Sequence, residues 1–357
     1  MNNADIVYQR LHNHRLSTSN LKRPVDVVHW LGAVQAQDFN GAKWGIAQRM
    51  RDPTNTLVDE AYNQGKILRI HVMRPTWHFV AADDILWLLQ LTASRVKVRC
   101  RPYYRNLDLD DRVFKRCNKV FTRVLKDGKH LTRDALRKIL IEDGVAAQNS
   151  ERLAHILVRA ELDGVICSGP MIGRQFTYAL LDERVPAMKT LDRDEALSKL
   201  TRRYFTSHGP ATLQDFIWWS GLTTLDAKGG IALAERHLSK QVCDERAYWG
   251  PRVVETISRP TSAALLPAFD EYVVAYKDRK AVFDLENSKL LTTPNGILGP
   301  TVIVGGKVAA SWRHTRKNGK VTIDVKPFRP FKKFEKLAIA MAADQYAKYR
   351  EVSTPAP

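Results

Sequence analysis

Apolar residues recur at helical spacing near the start of the chain, in the stretch PVDVVHWLGAV. The residues that share this face are Val27, Val28, Leu31 and Val34. Such spacing predicts an amphipathic helix, and a second, short helix is predicted near NTLVDEAYNQGK. The stretch ILRIHVMRPTWHFV that follows is rich in β-branched and aromatic residues, which is typical of strands. Helices followed by a two-stranded ribbon form the order expected of a winged helix.

The same order of elements recurs further along the chain. In LTRDALRKILIEDGV, Thr132 is predicted to cap a helix, and ERLAHILVRAELDGV supplies a second helix with an apolar face. The segments GVICSG and GRQFTYALL then predict a hairpin. A third copy begins at GPATLQDFIWWSGL, in which Trp218 and Trp219 are predicted to belong to the core. The repetition lies in the pattern of elements and not in residue identity.

The last hundred residues have a different pattern, in which short apolar strands are separated by turns. Asn318 and Gly319 in NGK predict a two-residue hairpin turn, and FEKLAIAMAADQYAKYR predicts a final amphipathic helix. We therefore predict an α+β protein with several regions. These are a first winged helix over 1–90, a basic helical segment and second winged helix over 91–190, a third winged helix over 191–257, and a strand-rich region with the terminal helix over 258–357.

Charge narrows the range of partners. The 357 residues include 56 Lys and Arg against 38 Asp and Glu, which gives a net charge of +18. Residues 95–138 hold 15 basic and 5 acidic side chains, and residues 306–333 hold 9 basic and 1 acidic. This balance favours a polyanionic partner, and charge alone leaves DNA, RNA and anionic lipid open. A solvated, generally basic surface is the alternative.

Several other classes of protein are disfavoured. The sequence has no apolar run of about 18 residues that could span a membrane, and MNNADIVYQR has no apolar signal region. The wide spacing of the cysteines predicts no disulfide framework, which favours a reducing cytoplasm. There is no Walker-type loop, no G-x-G-x-x-G and no H-E-x-x-H, and the histidines lack metal-ligand spacing. We therefore expect neither a metal nor another cofactor.

Asp270 and Glu271 form an acidic pair with apolar flanks, in LLPAFDEYVVAYKDR. If this stretch is a strand, the two adjacent side chains face opposite ways and make a poor catalytic dyad. We therefore predict a structural role for them, in pairing with Lys277 or Arg279.

Two glutamines flank one alanine at the end of the first apolar run, in LGAVQAQDFNGAKWGIAQ. In a straight helix, residues i and i+2 point well apart, so Gln35 and Gln37 can converge only where a helix ends or the chain is extended. The Asp, Asn and Gly that follow favour a helix end. An exposed helix terminus without chemistry is the alternative.

Four segments of the chain resemble the AlkZ/YcaQ superfamily of winged-helix DNA glycosylases. LGAVQAQDF is similar to the Gln-x-Gln motif of that family, and ILRIHVMRPTWHFV, YFTSHGPATLQDFIWWSGL and LLPAFDEYVVAYKDR are similar to further stretches in the same order. The resemblance extends over nearly the whole chain. It implies three tandem winged helices around a concave DNA channel, monofunctional excision of N7-alkylated purines and, in some members, unhooking of interstrand crosslinks. The YcaQ branch has Asp at the second motif position, so Gln37 indicates the AlkZ branch.

The resemblance makes Gln35 and Gln37 the predicted catalytic residues. An N7-alkylated guanine already carries a positive charge, so it can leave without a general acid. The enzyme must then stabilise an oxocarbenium-like sugar and hold a water against it, a need shared with glycoside hydrolysis. Amide oxygens can orient that water and turn the negative ends of their dipoles toward the cationic sugar. An uncharged normal base leaves much less readily, so weak catalysis also provides selectivity.

Further residues are candidates for the pocket or the DNA interface. Thr76 and His78 in RPTWHFV can alternate onto one pocket face, although a packed histidine is the alternative, and Arg74 could reach a phosphate. The hairpin WRHTRKNGK could enter a groove and contact the DNA backbone, or it could be an ordinary solvated turn. Its candidate DNA-binding residues are His314, Arg316, Lys317 and Lys320.

We therefore expect a monomeric, cytoplasmic enzyme that acts on double-stranded DNA with alkylated bases, without a membrane or a cofactor. A winged-helix transcription regulator without catalysis is the alternative function. The lack of a separate effector domain or an evident dimerisation helix disfavours it. A family member that has lost activity and only binds DNA or a toxin is a third reading.

Overall fold

The computed structural model describes most of the chain, and contacts divide the chain into two compact units. The described residues are 2–18, 20–185, 190–252, 262–283 and 299–351. The first unit consists of 1–59, 197–219 and 223–357, and the second of 60–196 and 220–222. The Gln-x-Gln segment belongs to the first unit, which is assembled from three separate pieces of sequence.

The described residues form an α+β fold. Its α-helices are α1 (Asn3–Asn13), α2 (Pro24–Leu31), α3 (Phe39–Ala47), α4 (Asn55–Asn63), α5 (Ile85–Asn106), α6 (Asp111–Leu125), α7 (Arg133–Glu142), α8 (Ser150–Leu162), α9 (Leu181–Arg184), α10 (Arg193–His208), α11 (Leu213–Ser220), α12 (Thr224–Ala234), α13 (Glu271–Val274) and α14 (Lys333–Glu351). Its strands are β1 (Val34–Gln35), β2 (Ile67–His71), β3 (Trp77–Ala81), β4 (Leu131–Thr132), β5 (Ile166–Ser168), β6 (Thr177–Leu180), β7 (Leu238–Cys243), β8 (Arg246–Pro251), β9 (Ala263–Leu266), β10 (Thr301–Val304), β11 (Lys307–Lys317) and β12 (Lys320–Pro327). Short 3₁₀ helices cover Ala82–Asp84 and Glu235–His237.

The first unit contains a four-stranded antiparallel sheet in the order β12-β11-β10-β9. Its longest hairpin joins β11 to β12 through Asn318 and Gly319, with φ of 51° and 79°. Positive φ at both turn positions is the geometry for which Asn-Gly is favoured, so the predicted hairpin is confirmed. A buried cluster that includes Val7, Leu266 and Tyr272 packs helix α1 against this sheet.

The second unit contains a helix–helix–hairpin arrangement between residues 131 and 180. Thr132 caps α7 by accepting a hydrogen bond from the Ala135 N–H at 3.2 Å, as predicted. Helix α8 buries the predicted apolar face, and the β5–β6 hairpin follows, with β4 paired to the other side of β6. Helix α6 is strongly amphipathic: its apolar side is buried and most of its basic residues are exposed.

The other predicted elements are found with shifted bounds. The pairing of β2 with β3 confirms the ribbon in ILRIHVMRPTWHFV, and α11, α12 and the β7–β8 hairpin follow one another in the first unit. Helix α14 confirms the terminal helix. The prediction that Val34 belongs to the first helix is wrong, because α2 ends at Leu31.

Two predictions about burial and pairing are also wrong. Trp219 is fully buried, but Trp218 is 46% exposed, and its indole N–H donates to the Val274 carbonyl. Asp270 and Glu271 lie at the start of helix α13 and not within a strand. The carboxylate of Asp270 pairs with neither Lys277 nor Arg279 but with Arg49, in the turn that follows helix α3, as described below.

Candidate active site

The Gln-x-Gln segment is an extended connection between two helices. Gly32 ends α2 with a φ of 80°, and Asp38 begins α3 by accepting a hydrogen bond from the Gly41 N–H at 3.1 Å. The Asp, Asn and Gly after the motif therefore start a helix, and the prediction that they end one is wrong. The extended alternative is the one that the structure adopts for Gln35.

The two glutamines differ in burial. Gln35 belongs to strand β1 and is only 9% exposed, and Ala36 after it is fully buried. Gln37 lies in a bend beyond the strand and is exposed. The segment is thus anchored by Gln35 and Ala36, and the amide of Gln37 lies at the surface.

A buried carboxylate holds the main chain of this segment. The Oε1 atom of Glu271 accepts the Gln35 backbone N–H at 2.7 Å, and its Oε2 atom accepts the Trp219 indole N–H at 2.9 Å. Glu271 is 1% exposed. The indole ring of Trp219 also lies beneath Gly32, where a Cβ atom would come within 3.3 Å of it. A side chain at position 32 would therefore disturb the packing that supports the glutamines.

The neighbouring carboxylate fixes the same loop to helix α3. Arg49 donates two hydrogen bonds to Asp270, at 2.9 and 2.7 Å, and both side chains are buried. Helix α3 approaches this loop closely through its glycines: a Cβ atom at Gly45 would lie 3.3 Å from Asp270 Oδ2, and one at Gly41 would lie 3.1 Å from Pro267. The loop that carries Glu271 therefore has little freedom to move away from the Gln-x-Gln segment.

Two buried histidines complete the surroundings of Glu271. His208 Nε2 lies 3.6 Å from Glu271 Oε2, and the His14 ring packs edge-on against the His208 ring at 4.7 Å. Burial lowers the pKa of both imidazoles, and His208 and two nearby arginines lower the pKa of His14 further. Both histidines are therefore neutral near pH 7, so Glu271 does not form an ion pair with His208 at that pH.

Comparison with known proteins identifies the family of the chain. The sequence model of the family described as DNA glycosylase AlkZ-like matches residues 28–349. The chain belongs to the AlkZ-like family of DNA glycosylases, and it is an enzyme of that class. A curated relative, the interstrand DNA cross-link repair glycosylase of Streptomyces sahachiroi, is 25% identical over 343 residues, which cover 92% of this chain and 90% of the relative.

A solved structure has the same fold as this glycosylase. The Streptomyces sahachiroi DNA glycosylase AlkZ superposes with a TM-score of 0.83 at 22% sequence identity, over 97% of this chain and 96% of that one. The likeness of fold extends from end to end of the AlkZ-like chain, so both units belong to one family architecture.

The RPTWH residues of the glycosylase lie in its second unit, at and after the turn between β2 and β3. His78 is fully buried, its Nδ1 atom lies 2.9 Å from the Thr76 carbonyl oxygen, and its Nε2 atom lies 3.3 Å from an Arg74 guanidinium nitrogen. Arg74 itself is only 9% exposed. The three candidates are therefore in one local cluster, in which Arg74 contacts His78 and has little surface left for a phosphate.

The β11–β12 hairpin divides its candidate DNA-binding residues between two faces. Alternation places His314 and Arg316 on the face of Trp312, and Lys317 on the other face with its cross-strand partner Lys320. The first face packs on helix α14, where the Tyr346 hydroxyl lies 3.1 Å from His314 Nδ1. Burial, followed by the nearby Arg350, lowers the pKa of His314, so the positive charge of the tip comes from Arg316, Lys317 and Lys320.

Neither a metal site nor a membrane-spanning helix is found over the same described ranges. There, no group of three or more His, Cys, Asp or Glu side chains is arranged to hold a metal ion. No helix among the described residues is both long and apolar enough to cross a membrane. The cysteines are buried thiols, and burial raises the pKa of Cys117 to about 11 and that of Cys167 to about 12.

The sequence did not predict that Glu271, Trp219 and Arg49 contribute to the site. Glu271 and Trp219 stood within the stretches that resembled the family, LLPAFDEYVVAYKDR and YFTSHGPATLQDFIWWSGL. The signal that was available is an acidic residue between apolar neighbours, because a carboxylate in such a setting needs buried donors. The identity of those donors, from residues 35 and 219, depends on tertiary contacts.

Proposed function

We propose that this DNA glycosylase hydrolyses the N-glycosidic bond of cationic N7-alkylated purines, with Gln35 and Gln37 holding the attacking water. The observation that carries the proposal is the Gln-x-Gln segment, whose main chain is fixed at Gln35 by a buried carboxylate. Amide side chains are weak acids and bases, so they suit a reaction in which the base is already a good leaving group. Their task is to orient water and to stabilise the developing positive charge of the sugar.

Selectivity for damaged bases follows because amides are weak acids. A neutral purine must be protonated before it leaves, and Gln35 and Gln37 cannot supply that proton. An N7-alkylated purine needs no proton, so the enzyme removes the cationic base and leaves the normal base in place. In this scheme no metal or other cofactor takes part in bond cleavage.

The proposal extends to DNA recognition and to crosslinks. The helix–helix–hairpin segments act as winged helices that bind duplex DNA, and the β11–β12 hairpin contacts its backbone through Arg316, Lys317 and Lys320. The net charge of +18 supports binding to phosphate. We include interstrand crosslinks among the substrates because the curated relative is named for their repair, and because a crosslink through two N7 atoms consists of two cationic purines.

The test is excision of 7-methylguanine from a defined duplex, with abasic sites revealed by heating in alkali. Single-turnover rates should fall at least tenfold for Gln35→Ala and for Gln37→Ala, about 1.4 kcal/mol of barrier. The affinity for the duplex should change little, since neither amide carries charge. Wild-type rates in both variants would falsify the assignment of the water-holding residues.

Membership of the glycosylase family does not favour the alternative of a transcription regulator, and the mode of DNA binding separates the two functions. A regulator would bind one short palindromic site with a preference that persists in salt, whereas the glycosylase should bind any duplex with an affinity that falls linearly in log salt. Titrating two unrelated duplexes at three salt concentrations separates the two.

A further inference from the structure

We infer that Glu271 is a positioning residue of the excision reaction, which acts through the main chain of Gln35. The inference rests on the proposed function of Gln35 and Gln37, and it adds a residue that touches neither the water nor the sugar. The distinctive contact is the 2.7 Å hydrogen bond from the Gln35 N–H to Glu271 Oε1. A carboxylate thus accepts a hydrogen bond from the backbone of a residue whose side chain is proposed to hold the attacking water.

The carboxylate joins two elements that come from distant parts of the sequence. One oxygen accepts from Gln35, 236 positions away, and the other accepts from Trp219 on helix α11 at 2.9 Å. Bonds of this kind, in which an ionised acceptor meets an N–H donor, are short and about twice as strong as neutral ones. Glu271 therefore fixes the Gln-x-Gln segment in place against helix α11.

Filling space does not require a charge at this position. Burying a carboxylate costs free energy unless its oxygens are hydrogen-bonded, and glutamine has nearly the same shape. The neighbouring Asp270 already ties the loop to helix α3 through Arg49. What Glu271 adds is a pair of acceptors, aimed at Gln35 and Trp219. Catalytic side chains must be held within about 0.5 Å of their working geometry, and a fixed main chain is the first requirement for that.

The substitution Glu271→Gln removes one acceptor while it keeps the volume of the side chain, so it distinguishes the two effects. The glutamine amide has one acceptor oxygen and one donor nitrogen, whereas Gln35 and Trp219 each direct an N–H at a separate carboxylate oxygen. In Glu271→Gln one donor must face another donor. Trp219→Phe removes the indole N–H, so in the double variant the amide nitrogen can turn toward the phenyl ring and the oxygen can again accept from Gln35.

The experiment measures single-turnover excision of 7-methylguanine at saturating enzyme, together with the dissociation constant for the same duplex. Glu271→Gln should excise at least tenfold more slowly, with affinity within threefold of the wild type. Trp219→Phe alone should lose a few-fold. The double variant should excise faster than Glu271→Gln and recover at least half of the loss on a logarithmic scale. A structural defect would behave oppositely, because Trp219→Phe removes further buried volume.

A matched control is available in the second unit. Glu161 is also fully buried and accepts a main-chain N–H, that of His71, at 3.0 Å. Glu161→Gln makes the same isosteric change at a distance in sequence from the glutamines, and its saturated rate should stay within twofold of the wild type. If it slows excision as much as Glu271→Gln does, the effect is general and the inference is overturned.

The remaining outcomes distinguish this inference from the proposed function. Slow Gln35→Ala and Gln37→Ala variants beside a wild-type rate for Glu271→Gln would overturn the positioning role and leave the proposed function standing. Wild-type rates for both glutamine variants would overturn both. If Glu271→Gln does not fold, Glu271→Asp keeps the charge but withdraws the carboxylate by one methylene, and a wild-type rate in the folded protein would overturn the inference equally.

Discussion

Glu271 in the first unit and Glu161 in the second are both buried carboxylates that accept a main-chain N–H and a ring N–H, yet they organise their surroundings differently. Glu161 uses Oε2 for both the main chain and the imidazole Nδ1 of His71, at 3.0 and 2.6 Å, and its Oε1 has no hydrogen-bond partner among the described residues. Glu271 divides its two oxygens between Gln35 and Trp219. One carboxylate orients a single residue, whereas the other joins two elements.

Glu161 therefore has a local effect, on one residue, whereas Glu271 connects two elements that are distant in sequence. Loss of the Glu161 contacts changes the orientation of His71 on strand β2, and the strand keeps its own pairing with β3. The Gln-x-Gln segment has much less secondary structure of its own, since β1 contains two residues. Besides this short strand, Glu271 hydrogen-bonds the main chain of the segment at Gln35.

The largest difference is expected beside Glu271, at the buried pair of Arg49 and Asp270. Arg49→Ala leaves a buried carboxylate without its cation, which should lower the free energy of unfolding by about 3–5 kcal/mol. The matched control is Arg313→Ala, whose partner Asp324 is exposed and whose loss should cost under about 1 kcal/mol. Urea denaturation of both variants gives the comparison, and equal losses would contradict the role of burial.

Glu161→Gln should affect stability without affecting chemistry. Both donors of His71 then meet a neutral amide oxygen in place of a charged acceptor in a buried site, which should cost about 1–3 kcal/mol of unfolding free energy. The saturated excision rate should stay at the wild-type value, as required of the control above. The same urea titrations and single-turnover assays measure both quantities, and a destabilised but fully active protein is the expected result.

Acid should weaken the first unit through its buried histidines. The folded-state pKa values of His14 and His208 lie below the unfolded value near 6.5, so the unfolded chain binds more protons once the pH falls below that value. The free energy of unfolding should therefore decrease with falling pH, by about 1.4 kcal/mol per pH unit for each histidine that stays neutral when folded. His14→Gln should reduce that slope between pH 6.5 and 5.5; an unchanged slope would exclude His14 as a source.

The smallest effect is expected at the β11–β12 hairpin. Arg316→Ala with Lys317→Ala should weaken duplex binding threefold to tenfold and reduce the slope of log affinity against log salt by about one to two, because phosphate contacts are lost. The saturated excision rate should survive, since the glutamines are untouched.

A neutral pair in the same hairpin provides the control for that experiment. Arg313→Ala with Asp324→Ala removes an ion pair and no net charge, so binding should stay near the wild-type value. Unchanged binding in the Arg316 and Lys317 variant would make the tip an ordinary solvated turn. A collapse of the saturated rate with normal affinity would place the tip in the catalytic site instead.

Much of this architecture could be predicted from the sequence, because local signals specify it. The capping of α7 by Thr132 and the Asn318–Gly319 turn follow from side-chain and backbone preferences of a few adjacent residues. The family resemblance identified the enzyme class, through short segments that keep their order along the chain. Gln35 and Gln37 as catalytic residues remain predictions.

What could not be predicted depends on contacts between distant residues. Asp270 and Glu271 looked like a strand with local partners, because the LLPAF run before them is apolar. Their actual partners are Arg49, Gln35 and Trp219, more than 50 positions away in each case. The exposure of Trp218 was also missed, because helical spacing does not reveal which of two adjacent tryptophans other parts of the chain cover.

The separation of Gln35 from Glu271 has a consequence for the synthesis of the protein. At roughly 5–20 residues per second, a ribosome needs roughly 10 to 50 s to translate the 236 positions that separate the two residues. During that time the nascent chain already carries both glutamines, and the second unit can fold, but the carboxylate that fixes Gln35 has not been made. A chain that ends before residue 271, through a premature stop or proteolysis, thus carries the Gln-x-Gln motif without the carboxylate that binds the Gln35 N–H. Excision activity is acquired only when translation has passed Glu271 and the first and last segments of the first unit have met.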